Sequence, residues 1–232
     1  MTMVIASLFP ELTNSQGDAE NARALSKVLE FHGREARVEV VATDGSAPAQ
    51  AELIVFGHVV ASQEALVAEG LSNIRVWLNE RLAAGAVLLA VGSAQNVLCD
   101  AGLLSGHGEQ RTEHAVDDLV AVRDGFAREL WGFQNSQTVY RRGSDEQALG
   151  TVVFGSGSAD GNEGVIRQVG SGLIVGTNLH GPVCVRNPEF ALWLIAQAGI
   201  ELPADSATAG WRQAVTLANA LWEQRRVQLE LK

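Results

Sequence analysis

Two segments carry residues whose types could do chemistry together. His180 lies in Gly176-Thr-Asn-Leu-His-Gly-Pro182, just after an apolar run and shortly before a helix start. An imidazole at a strand end can take the proton of a nucleophile presented by a neighbouring strand, so this segment reads as the base half of a dyad. The other half belongs on a strand-turn-helix elbow, which exposes a side chain at the carboxyl end of a sheet, where open α/β folds bind ligands. Ala90-Val91-Gly92-Ser93-Ala94-Gln95-Asn96 has that pattern, yet it offers only Gly92 and Ser93. Taken singly, the turn also reads as tight packing and His180 as a structural histidine. A dyad calls for Cys, or for Ser with further assistance. Neither cysteine fits: Cys99 falls inside the helix expected after the turn, and Cys184 lies four residues beyond His180.

The elements that must position these residues follow from periodicity. Val4–Leu8, Leu53–Phe56 and Val87–Val91 are continuous apolar runs, expected as buried strands, whereas Arg37–Val41 alternates and belongs nearer a sheet edge. Ala22, Leu25 and Leu29 mark a helix that Gly33 stops. Ile74, Trp77, Leu78 and Leu82 predict a second helix over about 72–84, ended by Gly85 and connecting two buried strands as a right-handed crossover. From residue 119 the pattern turns to strands and turns, at Leu119–Val122, Gly150–Phe154, Gly164–Val169 and Leu173–Thr177, in an antiparallel or mixed arrangement. Asn187 is expected to N-cap a helix with Pro188 at its first position, running over Phe190–Ala198 to Gly199. A polar linker, Pro203–Gly210, leads to a last helix with Trp211, Ala214, Val215, Ala218, Leu221 and Trp222 on one face. The expected architecture is α/β, with residues 1–200 as one domain and residues 201–232 as a linker and helix packed on it or on a partner.

Composition bounds the partners. The chain has 232 residues, 47% hydrophobic and 19% charged, with a net charge of −10. That surface repels phosphate backbones and anionic lipid, so neither nucleic acid nor membrane insertion is expected. Two cysteines in a chain of this size call for no disulfide and no redox chemistry. The apolar run ending at Pro10 lacks a basic leader, which makes a cytoplasmic protein the expectation.

Leu8-Phe-Pro-Glu-Leu-Thr-Asn-Ser-Gln-Gly-Asp-Ala-Glu-Asn21 resembles the opening of the cobyric-acid-synthase-type class I glutamine amidotransferases, most of all the glutaminase subunits of lipid II isoglutaminyl synthase. Leu53–Glu64 is similar to that family's strand and glycine-rich oxyanion loop, and Gly85–Leu98 to its nucleophile elbow. Trp131–Thr138 is similar to its Gly-Phe-Glu-Asn-His segment, and Gly176–Pro188 to its Gly-Thr-x-Leu-His-Gly-Pro…Asn-Pro segment. The resemblance covers about residues 1–200 and implies a flavodoxin-like mixed sheet flanked by helices.

It also implies a site. In the family a Cys on the elbow attacks the glutamine amide, with His as its base; here His180 stands at the base position and Gly92 at the nucleophile position. The triple glycine of the oxyanion loop reads Gly57-His58-Val59, and Glu-Asn-His reads Gln134-Asn135-Ser136. Gly57, His58, Asn96, Gln134 and Asn135 are thereby the expected substrate-binding positions, with His58 filling the glutamine site or binding something else. Ser93 is one residue out of register with the lost Cys and is expected to point away from His180; an alternative register would give it the Cys position.

The implied partner is a Mur-ligase-like synthetase that amidates the peptidoglycan stem peptide, in a heterodimer. Three functions stay open: a non-hydrolysing pseudoenzyme, an active glutaminase using Ser93 and His180, and a free-standing small-molecule binder. No cofactor or metal is expected. His107, His114, Glu109, Glu113, Asp117 and Asp118 read as a solvated acidic loop, and Gly155–Gly164 lacks calcium-loop spacing despite Asp160, Asn162 and Glu163.

Overall fold

The computed structural model describes residues 2–203 and 206–231. In chain order the elements are β1 (Met3–Leu8), α1 (Pro10–Thr13), α2 (Glu20–Phe31), β2 (Ala36–Val41), β3 (Leu53–Phe56), α3 (Glu64–Asn73), α4 (Arg75–Ala83), β4 (Val87–Val91) and α5 (Ala94–Asp100). There follow β5 (His107–Val122), β6 (Leu130–Arg141), β7 (Gly150–Phe154), β8 (Asn162–Glu163), β9 (Val165–Val169), β10 (Gly172–Thr177), α6 (Val183–Arg186), α7 (Pro188–Gln197) and α8 (Ala209–Gln228).

Six strands form one sheet in the order β2-β1-β3-β4-β10-β9, parallel except where β9 runs against β10. The apolar runs are continuous because both faces are covered. Val4, Ala6 and Leu8 of β1 pack with Leu88 and Ala90 of β4 against α3, α4 and α5. Ile5 of β1 and Val87, Leu89 and Val91 of β4 pack against α2 and α7 instead. Omitting β9, the order is the flavodoxin-like 2-1-3-4-5 pattern, which places the carboxyl ends of β1, β3, β4 and β10 along one edge.

A second, antiparallel sheet has the order β6-β5-β7-β8. Most of β5 from His107 to Asp117 is exposed, and only its end, Leu119–Ala121, enters the core. The last helix, α8, packs back through Trp211, which meets the Phe31 and His32 rings, and through Trp222, stacked on Trp131 at 5.3 Å.

Several expected elements take a different form. The helix over 72–84 is two helices, broken at Ile74, and α3 begins at Glu64. The acidic stretch around His107 and His114 is strand, not loop, with His107 Nε2 3.0 Å from Glu109 and His114 Nε2 2.8 Å from Asn135 Oδ1. Asn187 stands at the N-cap of α7, but its side chain does not cap. It accepts from Trp131 N (2.9 Å) and donates to Trp131 O (2.9 Å), tying α7 to β6. Of the linker over Pro203–Gly210, residues 204 and 205 lie outside the described residues; Thr208 caps α8 by accepting from Trp211 N. Among the described residues no helix is long and apolar enough to cross a membrane.

Candidate functional site

Four strand ends supply the site. After β1 the chain runs through α1 to Asp18, just ahead of α2; after β3 it turns at Gly57-His58-Val59. After β4 it turns at Gly92, whose φ of +58° lies in the left-handed region that glycine tolerates best. After β10 it reaches His180 through Asn178 and Leu179. The Gly92 N–H donates to Thr177 O at 2.8 Å, and the Gln95 amide donates to both Gly92 O (3.1 Å) and Thr177 O (3.2 Å). These bonds hold the β4 turn against the β10 end.

His180 is fully buried. Its backbone N–H donates to Phe133 O at 2.8 Å, and its ring stacks on Phe133 with centroids 5.8 Å apart. Nδ1 stands 3.5 Å from Asp18 Oδ2, an ion-pair distance, yet neither ring nitrogen has a hydrogen-bond partner. Asp18 is equally buried and organises the cluster, accepting from Gly181 N (2.6 Å) and His58 N (3.1 Å). Asp18, His180 and the β4 turn thus have the carboxylate, imidazole and elbow order of a triad, without a nucleophilic side chain at Gly92.

His58 occupies the space where such a side chain would stand. A Cβ built on Gly92 would lie 2.5 Å from His180 Cε1 and 2.6 Å from His58 Nδ1. The two imidazoles meet edge to face, with centroids 4.8 Å apart. Burial, with the nearby His180 adding to it and Asp18 opposing, lowers the His58 pKa to about 4, so the ring is neutral at pH 7.

An elbow site stabilises an oxyanion with the amide that follows the nucleophile and one from a neighbouring loop. Here both amides of that kind are engaged internally. Ser93 N–H points to His58 Nδ1 at 3.3 Å, and Val59 N–H donates to Ser93 Oγ at 3.0 Å. The Ser93 hydroxyl lies 2.5 Å from Val59 O and 3.2 Å from His58 Nδ1, facing the β3 loop.

The structure thus gathers Gly57, His58, Gly92, Ser93 and His180. Gly57 serves a close backbone approach, since a Cβ there would fall 2.0 Å from Thr13 O. The other expected binding residues turn elsewhere. Asn96 Nδ2 donates to Thr138 Oγ1 (2.9 Å), Gln134 closes on the Gly157 backbone through both amide atoms (3.2 and 3.1 Å), and Asn135 pairs with His114. Cys99 donates to Gly106 O, and burial raises its pKa; Cys184 is fully buried and also pushed up.

Two buried carboxylates beside His180 carry no role in the sequence motifs. Asp18 sits inside the opening segment, where a carboxylate between a strand end and a helix start is the available signal. Glu163, read with a loop, is fully buried and accepts from Thr177 Oγ1 (2.5 Å), Asn178 N (2.9 Å) and Asn178 Nδ2 (2.8 Å). Burial raises its pKa, and it braces the strand end that carries His180.

No protein-family model matches the chain. It is 25% identical to the GatD subunit of the glutamine-hydrolysing lipid II isoglutaminyl synthase of Streptococcus pneumoniae, over 86% of this chain and 84% of that one. To the Staphylococcus aureus GatD subunit it is 27% identical, over 69% of each. The chain is homologous to GatD. Among solved structures, a glutamine amidotransferase from Thermotoga maritima aligns over 96% of this chain and 97% of its own, with a TM-score of 0.54 at 15% identity. PurLQS from the same organism aligns over 85% of this chain and 95% of its own, with a TM-score of 0.55 at 15% identity. The fold is that of the flavodoxin-like class I glutamine amidotransferases.

Proposed function

We propose that this chain is a non-hydrolysing relative of GatD, of the cobyric-acid-synthase type, that works in the cytoplasm as the partner of a Mur-ligase-like synthetase acting on the peptidoglycan stem peptide. One observation carries the proposal: the position a nucleophile needs is filled by the chain's own residues. Gly92 brings no reactive side chain, His58 Nδ1 stands 2.6 Å from where its Cβ would be, and the two nearby amides face His58 and Ser93. Drift at three neighbouring positions is what a lineage relieved of hydrolysis accumulates. Residues 1–200 are the amidotransferase-like unit in this reading, and the C-terminal helix is an addition to it.

An active glutaminase built on Ser93 and His180 has less support. The Ser93 hydroxyl neighbours His58, not His180, and is shared with the Val59 backbone. A serine hydroxyl needs an aligned base and a free oxyanion hole.

The test is release of glutamate and ammonia from glutamine, measured for the purified protein alone and with its synthetase. The proposal expects none in either state. Turnover that disappears in His180→Ala would overturn it.

A further inference from the structure

An apolar concavity of about 640 Å³ lies behind the His180 loop, between α2 and α8. Its apolar lining includes Val28, Phe31, Val185, Trp211, Leu217 and Leu221. Leu217 is 63% exposed, Leu221 49% and Val185 56%, so three large apolar side chains face solvent in one place.

The two walls have matched periods. On α8, Leu217 and Leu221 are four residues apart; on α2, Arg23 and Lys27 are also four apart and line the other wall. Residues so spaced lie in a row along a helix. Arg186 adds a third cation to the lining against one acid, Glu20, in a chain of net charge −10. Arg23 pairs with Glu20 at 3.2 Å and Lys27 with Glu30 at 2.5 Å, but exposed pairs of this kind are weak and exchange readily.

The floor is the segment that follows His180. Pro182, Cys184, Val185 and Arg186 line the groove, and Arg186 Nη1 reaches to 3.4 Å from His180 O. Asn21 of α2 donates to Gly181 O (3.0 Å) and accepts from Cys184 N (2.9 Å), so the α2 wall and the His180 loop are joined.

We propose that this groove seats an acidic amphipathic helix of the synthetase partner, an inference that rests on the partner reading above. Its apolar row would lie on Leu217 and Leu221 and its acidic row against Arg23 and Lys27. A helix suits walls that repeat every four residues, whereas an added strand needs a sheet edge, and these walls are helical. The partner would thereby grip the loop that carries His180.

The experiment uses the full-length chain and the Mur-ligase-like synthetase from the same genome, with affinity measured by calorimetry. Leu217→Glu with Leu221→Glu is expected to weaken binding at least 100-fold, and Arg23→Glu with Lys27→Glu at least 10-fold. Val76→Glu with Val116→Glu, at apolar sites 71% and 68% exposed but outside the groove, is the control and should leave affinity unchanged. Circular dichroism establishes that each variant is folded. Unchanged binding by both groove variants overturns the groove assignment and leaves the partner reading standing. A wild-type chain that forms no complex overturns both. Wild-type self-association, lost in the groove variants, overturns it in favour of a second copy of this chain. Groove-dependent binding of an acyl amphiphile with no effect on the complex overturns it in favour of a ligand.

Discussion

Gly92→Cys is the substitution that would return a thiol to the elbow, and the structure says it fails by itself. The new Cβ would stand 2.5 Å from His180 Cε1, 2.6 Å from His58 Nδ1 and 3.1 Å from His180 Nε2. The first two separations are shorter than any real carbon contact, so both rings must move within a packed site, at a cost of about 1–3 kcal/mol. The φ of +58° adds about 1–2 kcal/mol for any residue with a Cβ. The single variant is therefore expected to lose about 2–5 kcal/mol. His58→Gly removes one of the two obstructions, so the two substitutions should couple favourably by about 0.5–3 kcal/mol, as residues in contact do. Urea unfolding of wild type, both single variants and the double variant gives this coupling directly. Alkylation supplies a second reading, since the introduced thiol should react slowly beside His58 and faster in the double variant. Additive stabilities, or a single variant as stable as wild type that hydrolyses glutamine, would refute the reasoning.

Other outcomes follow from the same geometry. The His58 pKa is about 4 in the fold against 6.5 in the unfolded chain, so between these values the unfolded state binds the extra proton and stability falls as pH falls. The loss is at most about 3 kcal/mol, and stability measured from pH 7 to 4 should decline less steeply in His58→Gln than in wild type. Gly57→Ala places a methyl 2.0 Å from a backbone oxygen and should cost more than about 3 kcal/mol in thermal or urea unfolding. Gly33→Ala, with φ of +73° but open space around it, should cost only about 1–2 kcal/mol. Trp222→Ala empties a site that is 2% exposed and should cost about 3–5 kcal/mol. Hydrogen exchange should then show α8 losing protection while the six-stranded sheet keeps it.

The parallel half was legible because its strands are buried on both faces: Leu53–Phe56 and Val87–Val91 are apolar without interruption and match β3 and β4 end to end. The α3 helix, absent from the expected elements, contains Gly70, a poor helix former. Here glycine serves a close approach, since a Cβ would meet Thr43 at 2.9 Å and Phe9 at 3.1 Å. The long β5 was visible only over Leu119–Val122, because the rest of it is largely solvated and carries no burial alternation. At the site, the strand-turn elbow and the histidine were readable from order along the chain. The filling of the site was not, because it depends on which way His58 and Ser93 turn. The N-cap expected of Asn187 failed for a similar reason, as a tertiary partner on β6 claims its amide. Asp18 shows the limit from the other side: one carboxylate in a polar turn carries no periodicity, and its role appears only when Gly181 and His58 are folded against it.

In the proposed function, His58 and Ser93 close the space at the Gly92 turn to glutamine. Titration of L-glutamine into the wild-type protein and into His58→Gly, followed by calorimetry, tests it most directly. No binding heat is expected for wild type, and saturable binding for His58→Gly. Millimolar or tighter binding of glutamine to the wild-type protein, unchanged in His58→Gly, would contradict it.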